Sequence, residues 1–89
     1  MKDFREIERM VKGFANHRRV QILALLNRQE DLSLSEIAER VKVNLKTAGE
    51  HVRRLVLSGL VWKYNDYHHV RHKLSTRGKE VLKFLRILE

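Results

Sequence analysis

The sequence predicts one mainly α-helical domain closed by a single β-hairpin, in the order helix, helix, helix, helix, hairpin, helix over residues 1–89. Three observations carry that prediction. Apolar residues recur at three- and four-residue steps through most of the chain, while the aromatic and β-branched stretch from Leu60 to Leu74 alternates instead. A serine, threonine or asparagine also stands where the third, fourth and last periodic runs begin.

Asp3 to Ala15 places Phe4, Ile7, Val11 and Phe14 on one helical stripe. Asn16 or His17 breaks the pattern. Arg18 to Arg28 resumes it with Val20, Ile22, Leu23, Leu25 and Leu26 on more than one side, so this second helix should be central and largely buried. Ser33 can cap a third helix reaching about Val41, with Glu36 as its capping-box partner and Leu32 stapled onto Ile37. Asn44 opens a fourth helix over about 44–58, inward-facing at Ala48, Val52 and Leu55, and Ser58-Gly59 ends it. Leu60 to Tyr64 and Tyr67 to Leu74 read as strands joined at Asn65-Asp66. Alternation puts Val70, His72 and Leu74 on one face and Tyr67, His69, Arg71 and Lys73 on the other. Ser75 or Thr76 then caps a last helix over 76–88 that contains Val81, Leu82, Phe84, Leu85, Ile87 and Leu88. Two short helices joined by a tight turn and followed by a hairpin form a winged helix-turn-helix: mainly α with a β-hairpin wing at 60–74, as a single domain over 1–89.

Charge is unevenly distributed. The formal net charge is +8, and from Asn44 to Arg77 seven basic residues face two acidic ones, whereas residues 30–43 carry four acids and two bases. Positive charge gathered on one part of a small domain is the footprint expected for a polyanion. No cysteine is present, which excludes disulfides and thiolate metal sites. No apolar run reaches the length of a membrane span or a signal-peptide core, which predicts a cytoplasmic protein without membrane partners. The sequence contains no nucleophile, base and oxyanion constellation and no glycine-rich phosphate loop, so an enzyme is not expected. His68, His69 and His72 share one strand, but the four-residue step spans about 13 Å and neighbours point to opposite faces. No metal or other cofactor is expected.

From about Phe14 to Leu74 the chain resembles the ArsR-type winged helix-turn-helix transcriptional regulators. The resemblance is carried by His17-Arg18-Arg19 before Ile22-Leu23, Glu36-Ile37-Ala38, Thr47 with His51-Val52, Gly59-Leu60-Val61, and the returning strand Val70 to Leu74. Leu74-Ser75-Thr76-Arg77-Gly78 is closer to the start of the last helix in MarR- and PadR-type regulators. Two departures stand out. Lys42 occupies a turn position where such motifs usually hold glycine, and the cysteine, acid and histidine sets of metal-sensing members are missing.

In a helix-turn-helix the start of the second helix enters the major groove. Lys46, Thr47, Glu50, His51, Arg53 and Arg54 flank the buried line of the fourth helix, and Ser35 lies near the start of the third. Lys46 and Arg54 suit guanine or phosphate, Glu50 suits cytosine, and Thr47 and His51 suit phosphate or thymine. On the wing, Lys63, Tyr67, His69, Arg71 and Lys73 are candidates for backbone or minor-groove contact. Gly49 should cost its helix about 1 kcal/mol relative to alanine. Either a close approach of DNA or a close crossing with the third helix would explain it.

The terminal helices, 3–15 and 76–88, are more apolar than a small monomer needs. Phe4, Ile7, Val11, Phe14, Val81, Leu85 and Leu88 are the expected dimer interface, as the resemblance implies. The resulting reading is a homodimeric, sequence-specific duplex-DNA-binding regulator, a repressor. Its alternatives are a winged helix used for protein assembly and a sequence-neutral DNA-packaging protein.

Overall fold

The structure, a computed structural model, describes residues 3–89. Its elements are α1 (Phe4–Phe14), α2 (His17–Arg28), α3 (Leu34–Val41), α4 (Leu45–Leu57), β1 (Val61–Asp66), β2 (His69–Leu74) and α5 (Thr76–Ile87). The expected order is therefore the observed one.

Each helix begins on a side-chain cap. Asp3, Asn16, Ser33, Asn44 and Ser75 each accept a backbone N–H of the first turn that no intrahelical carbonyl can reach. At α3 the arrangement is reciprocal. The Glu36 amide donates to Ser33 Oγ at 3.2 Å, and the Ser33 amide donates to Glu36 Oε1 at 2.9 Å. These bonds, together with the neighbouring cations Arg40 and Arg71, hold the Glu36 carboxyl below its ordinary range.

The core is built on α2. Ile22, Leu23 and Leu26 are fully buried and meet Ile37 from α3, Leu55 from α4 and Leu60 from the approach to β1. Burying each such side chain stabilises the fold by about 1.5–3 kcal/mol. Leu32, Val81 and Leu82 also belong to the cluster, with Met10 and Phe14 of α1 packed against it. Val81, expected at a dimer interface, lies inside this domain's own core because α5 turns that side toward the cluster.

Between α3 and α4 the chain turns at Lys42, whose φ of 59° and ψ of 49° are left-handed. The lysine thus carries the strain of about 1–2 kcal/mol that glycine would avoid. Gly59 ends α4 with φ of 77°, as its position after the helix led one to expect.

The hairpin departs from the sequence expectation in one respect. Asp66 pairs with His69, so the loop is Tyr67-His68 rather than Asn65-Asp66, and Tyr67 takes a φ of 55°. Asn65 and Asp66 are strand residues opposite Val70 and His69. Their turn-forming composition is overridden by the pairing of Val61 with Leu74, which sets the register from the buried end. The displacement is even in residue number, so the residues from His69 to Leu74 keep their predicted faces, whereas Tyr67, expected on the outer face, lies in the loop.

A short third edge joins the hairpin. His72 N–H donates to the Leu32 carbonyl at 3.0 Å, and the Asp31 amide donates to the His72 carbonyl at 2.9 Å. The His72 ring is buried, with Nδ1 2.8 Å from the Leu32 carbonyl oxygen. Burial lowers its pKa, partly opposed by that backbone bond. At the opposite end Gly78 lets α5 pass directly over Leu60, where Ser75 N–H donates to the Leu60 carbonyl and Ser75 Oγ to the Gly59 carbonyl. A β-carbon on residue 78 would collide with the Leu60 carbonyl oxygen.

Candidate nucleic-acid interface

The buried line of α4 is Ala48, Val52 and Leu55, so the opposite line is Lys46, Glu50, Arg53 and Leu57, at steps of four, three and four. All four are exposed. Asn44 accepts the Thr47 amide at 2.8 Å, which sets exposed Lys46 and half-buried Thr47 on the first turn, where the helix dipole is positive. Arg53 lies squarely on this outward line. Arg54 is exposed on the flank nearest α1.

His51 behaves differently. It is half-buried, and its Nδ1 accepts a hydrogen bond from Arg19 Nε at 3.2 Å. The same guanidinium donates to the carbonyls of Lys12 and Gly13, tying the end of α1 to α2 and α4. Burial first and the Arg19 charge second depress the His51 pKa, so the ring is held neutral as an acceptor. The structure turns this residue toward α2 rather than outward.

Strand pairing divides the wing residues between two faces. Lys63 shares the inner face with His72 and Val70, opposite α4, whereas Arg71, Lys73 and His69 share the outer face with Trp62 and Tyr64. Lys73 is exposed, its ammonium 5.3 Å from the Tyr64 ring centre. Tyr67, at the tip, is 97% exposed. Lys63 and His69 are exposed as well, as is Ser35 on the first turn of α3.

Arg71 is not free. Its Nη1 donates to the Asp31 carbonyl at 3.1 Å and lies 3.7 Å from Glu36 Oε1, and its Nε lies 3.7 Å from Asp66 Oδ2. The Tyr64 hydroxyl donates to the Asp31 carboxylate beside it. One cation therefore faces two carboxylates and a backbone carbonyl, anchoring the wing to the start of α3. No local pattern signals this cluster, because Asp31, Glu36, Tyr64, Asp66 and Arg71 are scattered along the chain and only the fold collects them.

A separate apolar surface lies along α1 and α5. Phe4, Val11, Phe84, Ile87 and Leu88 are exposed, and a groove of about 480 Å³ runs between Ile7, Met10 and Phe14 on one side and Val81 and Phe84 on the other. Phe84 and Ile87 are additions to the apolar set expected from sequence. The signal for them was the run of three-residue steps Val81, Phe84 and Ile87, which continues the apolar side of α5 outward from the buried Val81. Among the described residues no helix is long and apolar enough to cross a membrane.

A capped second helix with an outward basic line, set against a basic hairpin and preceded by a left-handed turn, is the geometry of one family whose model matches residues 16–61, more than half of the chain. The chain belongs to the winged helix-turn-helix DNA-binding family. Solved structures agree. The transcriptional regulator HlyU from Vibrio vulnificus is 31% identical, with a TM-score of 0.74, over 92% of this chain and 85% of that one. The homodimeric winged helix-turn-helix DNA-binding domain of Mb0332 from Mycobacterium bovis, a possible ArsR-family transcriptional regulator, is 26% identical with a TM-score of 0.84, over 93% and 77% of the two chains. MepR of S. aureus in complex with DNA, at 17% identity and a TM-score of 0.77 over 92% and 71%, shares the fold. No curated protein matches the chain. The winged helix-turn-helix reading and the likeness to ArsR-type regulators thus hold, and the protein falls among DNA-binding transcription regulators.

Proposed function

We propose that the protein is a homodimeric repressor that binds a specific duplex sequence through α4 and the wing. The observation that carries this reading is the outward line Lys46, Glu50 and Arg53 on a helix whose capped N-terminus is exposed. Lys46 and Arg53 donate to guanine edges or phosphates, Glu50 accepts from cytosine, and Thr47 supplies a hydroxyl to the backbone. Arg54 and Ser35 meet phosphates flanking the groove. On the wing, Lys73, His69 and Tyr67 follow the backbone or the minor groove, with Lys63 between wing and helix. Arg71 is assigned a positioning role, since its charge is already matched by Glu36 and Asp66. His51 contributes by bracing α4 against Arg19.

Dimerisation follows from the α1 and α5 surface. Phe4, Val11, Leu88, Phe84 and Ile87 are exposed along α1 and α5, with Ile7, Phe14 and Leu85 half-buried beside them, and an apolar surface of this kind marks a protein interface. Two protomers related by a two-fold axis would set two copies of α4 about one helical turn of DNA apart. Repression follows from occupancy: a dimer spanning such a site excludes other proteins from it.

Selection of bound sequences from a random duplex pool tests the reading. An enriched inverted repeat with half-sites about 10–11 base pairs apart supports it. Equal recovery of all sequences would refute specific recognition.

A further inference from the structure

Between the inner face of the wing and α4 lies a cleft of about 430 Å³, within the size range of small-molecule sites. Its walls are Leu34 of α3, Val52 and Val56 of α4, and Val70 of β2. Three features set it apart from an ordinary surface groove.

The first is Gly49, which forms part of the lining. A β-carbon there would sit 3.5 Å from Leu34 Cδ2, an ordinary van der Waals distance. Packing against α3 therefore does not require glycine, although glycine costs the helix about 1 kcal/mol relative to alanine. What its missing side chain provides is depth in the cleft. The second is charge. Arg53 of α4 and Lys63 of β1, both exposed, line the cleft, and no acidic residue does. The third is His72, which is 98% removed from solvent by its 2% exposure yet lines the same cleft. Its Nδ1 is committed to the Leu32 carbonyl, and no side-chain hydrogen bond among the described residues uses Nε2. The Lys63 ammonium is close enough to disfavour a proton on this ring. Two cations around an apolar floor, with no acidic residue, lack one thing, an anion with an apolar body; the neutral His72 ring, with Nδ1 donating to the Leu32 carbonyl, adds only an acceptor nitrogen and no opposing charge.

We infer that this cleft binds a small amphipathic carboxylic acid, its hydrocarbon body between Leu34, Val52, Val56 and Val70 and its carboxylate between Arg53 and Lys63. Occupancy competes with DNA, because the acid neutralises two of the cations proposed to face the duplex and fills the space between helix and wing. This regulatory half rests on the DNA-binding reading. Acid binding itself does not, so it is measured first in the absence of DNA.

Titration calorimetry of the full chain with decanoate, below its micellar concentration, should show saturable binding of one acid per protomer. Decanol, which lacks the charge, should bind at least tenfold more weakly. Arg53→Gln and Lys63→Gln should each weaken decanoate at least tenfold, and Gly49→Val, which fills the floor, should abolish saturable binding. Lys79→Gln, on exposed α5, should leave it unaltered, and circular dichroism melts confirm that each variant is folded. Loss of binding in Arg53→Gln and Lys63→Gln with retained melts supports the site even if Gly49→Val misfolds. Equal affinity for decanol and decanoate, unchanged affinity in both charge variants, or no saturable binding to the wild type would overturn the proposal. In the second arm, saturating decanoate should release a bound duplex. If acid binds as described while duplex is never bound, the DNA reading fails and the site stands.

Discussion

Replacing Arg71 by alanine separates a residue that holds the wing from one that holds phosphate. From sequence alone Arg71 and Lys73 are equivalent, two cations on one face of one strand. In the structure Arg71 donates to the Asp31 carbonyl at 3.1 Å and stands 3.7 Å from both Glu36 and Asp66, with its side chain 27% exposed. One charge-assisted hydrogen bond is worth about 1.5–3 kcal/mol, and the partial exposure reduces that to roughly 1–2 kcal/mol. For a domain of this size each kcal/mol shifts Tm by about 4–8 °C, so Arg71→Ala should melt about 4–16 °C lower. Lys73, whose ammonium lies 5.3 Å from the Tyr64 ring centre and makes no ion pair among the described residues, should melt near the wild type when replaced. Duplex binding should show the reverse. Lys73→Ala should reduce the slope of log affinity against log salt by about one unit per protomer, because a phosphate contact releases about 0.9 counterion. Arg71→Ala should reduce it by much less, since its charge is already balanced inside the protein. Thermal melts and salt titrations of the two variants make the comparison. An unchanged melt for Arg71→Ala, together with a slope reduced by one unit, would show that the guanidinium serves DNA and that the acidic contacts are incidental.

Further outcomes follow from packing and titration. Gly78→Ala should destabilise by about 1–3 kcal/mol through overpacking against the Leu60 carbonyl, outweighing the gain of about 1 kcal/mol in helix propensity, whereas Gly49→Ala should stabilise by up to about 1 kcal/mol; urea melts that place both on the same side of wild type would contradict this. His72 and His51 both have folded pKa values depressed below the ordinary value near 6.5, chiefly by burial, so the unfolded chain takes up protons first as pH falls. Stability should be full above about pH 6.5 and decline as pH falls through the folded values; a Tm that is equal at pH 7.5 and 5.5 would refute that linkage. Phe84→Glu should halve the mass seen by light scattering at micromolar concentration, and a wild type already of monomer mass would remove the dimer from the account.

Legibility in the sequence followed locality. Caps such as Ser33 with Glu36, and Asn44 with Thr47, act across three residues and were readable as spacing. The buried line Ala48, Val52 and Leu55 was readable as period, and the faces of β2 as alternation. The hairpin loop was misplaced because Asn65-Asp66 has turn composition, while the register is set at the far end by Val61 and Leu74. Within the candidate interface, exposure of Lys46, Glu50 and Arg53 could be expected from the helix pattern. The internal engagement of Arg71 and His51 could not, since Asp31 is 40 residues from Arg71 and Arg19 is 32 from His51. The burial of Val81 was hidden for a related reason: period identifies the apolar side of α5, but not whether this domain or a second copy covers it.

If α4 reads DNA, Lys46 should show it, being exposed, on the first turn and in no ion pair among the described residues. Affinity of wild type and Lys46→Ala is measured on the selected duplex and on a random duplex at one salt concentration. Lys46→Ala should lose about 1–3 kcal/mol on the selected duplex and much less on the random one. Equal losses on both, or none on the selected duplex, would contradict reading by α4.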